Sequence, residues 1–447
     1  MEQKLEKKYG LFTAIAMVVG IVIGSGVFFK AEKILTATGG NLKQGILAWL
    51  IGGVIMISCA YTFAVMATKY QYVNGLVDYA EATVGKKYAY YIGWFMAIIY
   101  YPAITSVLAW ASARYTCVIF DLPITGGECM TIACLYLVGS FTVNALSPVL
   151  AGKFQVSTTV IKLIPLFLMA IAGTTIGLHS GMTKYNFTHY VSQSSSHGLF
   201  TAVVAACFAY EGWIIATSIN AELKNAKKNL PLALVAGTFI IMSVYILYYI
   251  GVAGTVKNEI MMAGGEAGAK MAFQTVFSSI GGTLLFVFVI ISCLGTLNGL
   301  MVGCTRGIYS LAARDLGPKP KVFSHIDPIT NMPVNSAILG VFLCAVWLFY
   351  FYGANLTESW FGFFSFDSSE LPIVTLYAMY IPIFIMFMIK EKGLNIFNRI
   401  FMPFVSLISC IFMMIAAYFA HGTAVFAFLI VFCVVMACGW FLYRKSA

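Results

Sequence analysis

Two short stretches carry groups that can bind a small polar molecule in otherwise apolar surroundings. Gly24-Ser25-Gly26 lies in GIVIGSGVFF, inside an apolar run from Leu11 to about Leu35, and Tyr210-Glu211-Gly212-Trp213 lies in LFTAVVAACFAYEGWIIATSINAE. Glycine costs a helix about 1 kcal/mol relative to alanine, so each stretch predicts a break. A broken helix leaves N–H groups at the start of one fragment and C=O groups at the end of the other without partners. In lipid these must line a cavity or meet a ligand. Helix-start N–H groups suit a carboxylate, and helix-end carbonyls suit an ammonium. A site with both fits a zwitterion, of which the commonest small kind is an α-amino acid. One glycine pair alone reads equally well as a close-packing contact between helices. Two breaks in corresponding runs favour a site.

The elements that must position these groups follow from composition. The chain has 447 residues, 60% hydrophobic and 10% charged, with mean hydropathy +0.88. A soluble domain carries far more charge. Apolar runs near the ~20-residue bilayer length recur at about 11–37, 42–69, 89–120, 129–147, 155–178, 198–221, 231–256, 273–312, 334–353, 368–390, 400–420 and 423–443. The first continues past Gly26 without a clear cleavage motif, so it reads as a span and not a signal peptide. No soluble domain or linker remains, and residues 1–447 form one membrane domain. The eleven cysteines lack CxxC spacing and read as small apolar packing residues, so no metal or cofactor is expected. With the N-terminus inside, nineteen of the 27 Lys and Arg residues fall on the inner side and seven on the outer, leaving Lys162 within a span. The net charge of +10 therefore belongs to an inner membrane face and not to nucleic acid, and the expectation is a bacterial plasma membrane with both termini on its cytoplasmic side.

The two interrupted runs, the first and sixth, are five apart. That spacing predicts two five-helix halves of opposite topology, about 11–178 and 198–390, followed by two extra helices at about 400–443. The motifs GIVIGSGVFF, FAYEGW, AELKNAKKNLPLAL, GTLNGLMVGCTRGIYSLAARD, VIKLIPLFL and NMPVNSAIL resemble, in this chain from about residue 10 to 390, the amino acid–polyamine–organocation superfamily, and within it the bacterial L-amino-acid transporter branch. The resemblance implies an all-α, LeuT-like 5+5 fold of twelve membrane helices, alternating access and transport of L-amino acids. It implies that backbone amides of Gly24, Ser25 and Gly26 hold the substrate carboxylate. Carbonyls of Ile21, Val22, Phe208, Ala209 and Glu211 would hold the α-ammonium beside Gly212. Phe208 resembles an aromatic gate, and Asn298 in GTLNG is a wall residue on the eighth span. Tyr100 and Tyr101 sit at the depth of the site with unknown facing.

Lys162, in VSTTVIKLIPLFLMAIAG, is an ionisable group well inside the fifth span, where burial is expensive and function is the default reading. The alternative is snorkelling to the inner face. The resemblance implies that its ammonium stands where sodium-coupled relatives hold Na⁺, bonded to carbonyls of the first span's break, with Tyr245 a weaker member of the same network. Glu211 departs from the small or polar residue that relatives often carry and puts a titratable group beside the site. Asp367 and Glu370 read as rim residues or a helix cap, and the five histidines as loop or span-end residues. A channel filter and an enzyme motif such as HExxH are both missing from the sequence. The expectation is a sodium-independent exchanger of neutral L-amino acids, small ones such as Ala, Ser, Thr and Cys first, with no obligatory protein partner. The alternative is a proton-coupled symporter or a carrier of cationic amino acids or amines.

Overall fold

The computed structural model describes residues 10–24, 26–70, 75–146, 148–191, 196–216, 223–330, 332–357 and 359–446. Ser25 lies outside them. In chain order the helices that build the molecule are α1 (Leu11–Val22), α2 (Gly26–Ala37) and α3 (Leu42–Lys69), then α4 (Lys86–Ile119), α5 (Gly127–Leu146), α6 (Pro148–Ile161) and α7 (Leu163–Ser180). There follow α8 (Gly198–Ala209), α9 (Trp213–Ala216), α10 (Ala226–Ala253) and α11 (Glu266–Ala312). The last four are α12 (Val334–Phe351), α13 (Leu371–Lys390), α14 (Met402–His421) and α15 (Ala424–Ser446). Among the described residues ten helices are long and apolar enough to cross a bilayer. These coincide with ten of the twelve runs read from the sequence. The first and sixth runs are interrupted, as α1/α2 and α8/α9.

Each irregularity has a local cause. Helix α1 ends where Ile23 turns extended and gives its N–H to the Val19 carbonyl at 2.9 Å, and α2 begins at Gly26. Helix α8 ends at Tyr210, and Gly212 follows at φ +109°, a conformation that glycine alone adopts without strain. Between α6 and α7 the helix loosens at Lys162, because Pro165 has no N–H for the Ile161 carbonyl. Helix α4 carries a π turn over Met96–Tyr100, followed by Pro102. A 47-residue α11 would be about 70 Å long at 1.5 Å per residue. It is bent at Phe277 and Ser278, which leave helical geometry, so the membrane-crossing part starts after Ser278, later than the sequence pattern indicated.

The core that holds the breaks is aromatic. Trp49 on α3 meets Tyr210 edge-on with ring centroids 5.6 Å apart and Tyr245 of α10 at 5.4 Å, while Tyr210 and Tyr245 stack at 5.2 Å. The Tyr210 hydroxyl donates to the Trp49 carbonyl at 3.0 Å. This cluster fixes the end of α8 against α3 and α10. Helix α15 lies at the edge and is the least buried of the ten.

Candidate functional site

The two breaks meet. A Cβ placed on Gly26 would come 2.5 Å from the Cα of Ala209, so α2 and the end of α8 touch backbone to backbone. A Cβ on Gly24 would lie 2.5 Å from Thr296 Oγ1 on α11. The close-packing reading of the glycines thus holds for Gly26 and is compatible with a site, since the packing brings both breaks to one cavity. That cavity has a volume of about 260 Å³ and is lined by Val22, Gly24, Gly26, Tyr100, Ile104, Leu108, Lys162, Phe208, Ala209, Glu211, Gly212, Thr296, Gly299, Leu300 and Val302. Apolar walls with a few convergent polar groups are the usual make-up of a small-molecule site.

Three side chains cross-link the broken ends. The Lys162 ammonium, 1% exposed, donates to the Gly20 carbonyl at 2.5 Å. That carbonyl belongs to the last turn of α1, where helical partners run out. Lys162 is therefore turned inward and does not snorkel. The Tyr245 hydroxyl lies 3.3 Å from the Val22 carbonyl and 3.1 Å from the Ala209 carbonyl, so one hydroxyl bridges the ends of α1 and α8. The Phe208 carbonyl accepts the Glu211 N–H at 3.2 Å. A carbonyl has two lone pairs, so Val22, Phe208 and Ala209 each retain accepting capacity for an ammonium. Ile21 is the penultimate residue of α1, placing its backbone at the same end. Tyr100 donates to Glu211 Oε1 at 2.6 Å, and Glu211 Oε2 is buried without a hydrogen bond of its own.

Asn298 requires a correction. It is 3% exposed and does not line the cavity. Its amide donates to the Ala151 carbonyl at 3.2 Å, and its Oδ1 accepts from Asn144 at 2.8 Å. It ties α11 to α5 and α6, because its position on α11 faces those helices. The polar wall residue of α11 is Thr296, two positions before Asn298 in sequence and facing Gly24. Of the tyrosine pair, Tyr100 faces the cavity. Tyr101 instead lines a second space of about 250 Å³ that shares Gly299 and Val302 with the first and continues past Gly303, Arg306, Gly307 and Ser310 to Arg314. The sequence signal for this path was the recurrence of small and basic residues at helical spacing in GLMVGCTRGIYSLAAR.

At the opposite end sequence reasoning missed a buried charge cluster. Lys30 and Lys33 on α2 both contact Glu370 Oε1, at 2.7 and 2.6 Å, and Lys33 reaches Asp367 Oδ2 at 3.0 Å. His421 Nε2 lies 3.1 Å from Glu370 Oε2. Asp367 Oδ1 accepts the backbone N–H groups of Ser369 and Glu370 at 2.7 and 3.2 Å, so it caps the turn that leads into α13, while Glu370 is a buried ion partner and not a rim residue. Burial pushes the Asp367 carboxyl up, but the Lys33 and Lys30 ammoniums together with His421 outweigh it and hold the group at about 2. Asp367, Glu370 and His421 could share a cation by distance, yet two ammoniums already neutralise the two carboxylates. The Lys30 ammonium also stands 4.5 Å from the centroid of the Phe208 ring, which separates the cluster from the cavity.

Comparison with known proteins gives a consistent result. The profile of the amino acid permease family matches residues 9–445. The serine/threonine exchanger SteT of Bacillus subtilis is 31% identical over 329 residues, 74% of this chain and 73% of SteT. The human b(0,+)-type amino acid transporter 1 is 26% identical, covering 77% of this chain and 74% of its own. The glutamate/serine transporter AimA of B. subtilis is 23% identical over 91% of this chain and 77% of its own. Among solved structures, MhsT in complex with L-phenylalanine superposes with a TM-score of 0.61 at 14% identity, covering 93% of this chain and 99% of MhsT, which shows a shared LeuT fold. The protein is a multi-pass membrane protein and not an enzyme, and it belongs to the amino acid permease family of the amino acid–polyamine–organocation superfamily.

Proposed function

We propose that this protein exchanges neutral L-amino acids across the cell membrane by alternating access, without sodium, and that small ones such as alanine, serine, threonine and cysteine are preferred. The observation that carries the reading is the Lys162 ammonium on the Gly20 carbonyl. A fixed positive charge at the end of α1 supplies what a bound cation would supply there. The substrate carboxylate is placed at the Gly24–Gly26 amides and its ammonium at the carbonyls of α1 and α8. The preference for small substrates follows the likeness to the serine/threonine exchanger; the cavity, about 260 Å³ and walled by Ile104, Leu108, Leu300 and Val302, accommodates them. Phe208 and the Lys30–Glu370 cluster close one side of the cavity. The path toward Arg306 leads out of the other side, which the lysine and arginine distribution assigns to the cytoplasm together with both termini. The test is counterflow of radiolabelled serine in proteoliposomes, with choline replacing Na⁺ and with internal amino acid present or absent. Unchanged uptake in choline and dependence on internal amino acid support the reading. A strict Na⁺ requirement overturns it.

A second reading is favoured by one observation, the buried Glu211 Oε2 without a hydrogen bond. A carboxylate facing the cavity would recognise a cationic side chain or carry a proton. Competition of serine uptake by arginine, or accumulation driven by a pH gradient alone, would select this reading over the first.

A further inference from the structure

An apolar cavity separate from the breaks lies elsewhere in the bundle. Its volume is about 800 Å³, and it runs between α13, α14 and α15 and the start of α4. Its walls are almost wholly apolar, formed by residues such as Val374, Ala378, Ala417 and Phe428. It opens to the outside of the protein at Met414, within α14, and at Leu429, in the second turn of α15, which are 45% and 42% exposed. Along α15 it extends from Val425 to Trp440, about 22 Å at 1.5 Å per residue. One leaflet of a ~30 Å hydrocarbon core occupies half that thickness, so a full acyl chain fits. Apolar space that side chains leave unfilled forfeits dispersion contacts, and this lining offers water few partners.

One end of the cavity is different in kind. Tyr88 and Tyr91, in the first turns of α4, line it together with Trp440 near the end of α15. Tyrosine and tryptophan are typical of the headgroup level of a membrane. Lys86 and Lys87, the first two residues of α4, stand exposed beside these tyrosines. A pair of ammoniums at headgroup depth complements an anionic lipid, each lysine contributing a several-fold preference.

We infer that this cavity is a binding site for one anionic phospholipid, with an acyl chain between α13 and α15 and the phosphate at Lys86 and Lys87. The lipid completes the packing of α15 against the rest of the bundle.

The full chain, purified in a mild maltoside detergent, is incubated with dioleoyl-phosphatidylglycerol or dioleoyl-phosphatidylcholine and examined by native mass spectrometry. One retained phosphatidylglycerol per monomer is expected, with a preference of about tenfold over phosphatidylcholine. Ala378→Phe with Ala437→Phe fills the cavity and should abolish retention. Lys86→Gln with Lys87→Gln should leave a retained lipid without headgroup preference. A phosphatidylglycerol brominated along its chain should quench wild-type tryptophan fluorescence more than that of Trp440→Phe, a readout that stands if the filled variant does not fold. No retained lipid, an unchanged preference in the lysine variant, or equal quenching in the Trp440 variant overturns the site. So does a dimer whose formation the filled variant abolishes, because a second copy would then occupy this face.

Discussion

The Lys30 ammonium on α2 lies 2.7 Å from Glu370 Oε1 at the start of α13, and both side chains are buried. The pair joins residues 340 positions apart and spans the side of the cavity closed by Phe208. Removing one partner of a buried pair leaves an uncompensated charge at a cost of about 3–5 kcal/mol. Glu370→Gln should therefore lower the unfolding temperature in detergent and raise substrate leak from loaded proteoliposomes. Lys30→Met with Glu370→Leu should recover most of the stability, since apolar replacement of both partners is often neutral, but not the tight closure. A double variant with wild-type leak would remove the pair from the gate.

Stability should also depend on acid through Asp367. Its carboxyl is held at about 2 in the folded protein, against about 3.9 unfolded. A depressed carboxyl stabilises above its unfolded value and loses that contribution as pH falls through the folded one. The gain, about 2–3 kcal/mol, is complete at pH 7 and disappears between about pH 4 and pH 2. Asp367→Asn keeps an oxygen for the cap and should unfold at lower temperature than the wild type at pH 7. The gap should close in that acid window. A gap of constant size would show that the charge is not what matters.

Lys162→Ala removes a charged hydrogen bond from the Gly20 carbonyl. Such bonds are worth about 1.5–3 kcal/mol, or roughly a 10- to 100-fold loss of exchange rate. The loss should be the same with and without Na⁺ and should not be repaired by Lys162→Met, which fills the volume without the charge. Full exchange by Lys162→Met would reduce the lysine to packing.

The two glycines should behave differently. Gly26 faces backbone at Ala209, which cannot yield, so Gly26→Val should lose both folding stability and substrate binding. Gly24 faces the Thr296 side chain, 2.5 Å from a built Cβ. Gly24→Ala should weaken serine binding, and Thr296→Ala in the same protein should restore part of it. Equal loss with and without the second change would place the effect on the backbone of α1 alone.

Glu211→Gln and Tyr100→Phe both disturb the 2.6 Å bond between these residues. If Glu211 tunes but does not anchor the substrate, both variants bind serine and their exchange varies less with pH than in the wild type between about pH 5 and 8. Loss of binding at every pH in Glu211→Gln would mean that the charge itself holds the ligand, in favour of a cationic substrate.

Hydropathy alone was enough for the ten long apolar helices, because a bilayer permits few other structures for such runs; the glycines marked where the backbone leaves helical geometry after Val22 and at Gly212, because glycine weakens a helix wherever it stands. Lys162 was recognisable for the same reason: a charge deep in an apolar run has to be paid for by a partner. What the run could not reveal is rotation about the helix axis and pairing at long range. Asn298 and Thr296 are two positions apart on α11, and only packing decided that Thr296 meets Gly24 while Asn298 turns to Asn144. The π turn over Met96–Tyr100 shifts the register of α4 by one residue, about 100° of rotation, so no regular helical wheel would have put Tyr100 on Glu211. Lys30 and Lys33 counted in the sequence only among the seven outer-side basic residues, and their partners appeared when the fold set α2 against Asp367, Glu370 and His421. Local chemistry determined where this chain crosses and breaks. The contacts between elements far apart in sequence decided which groups face the cavity and which close it.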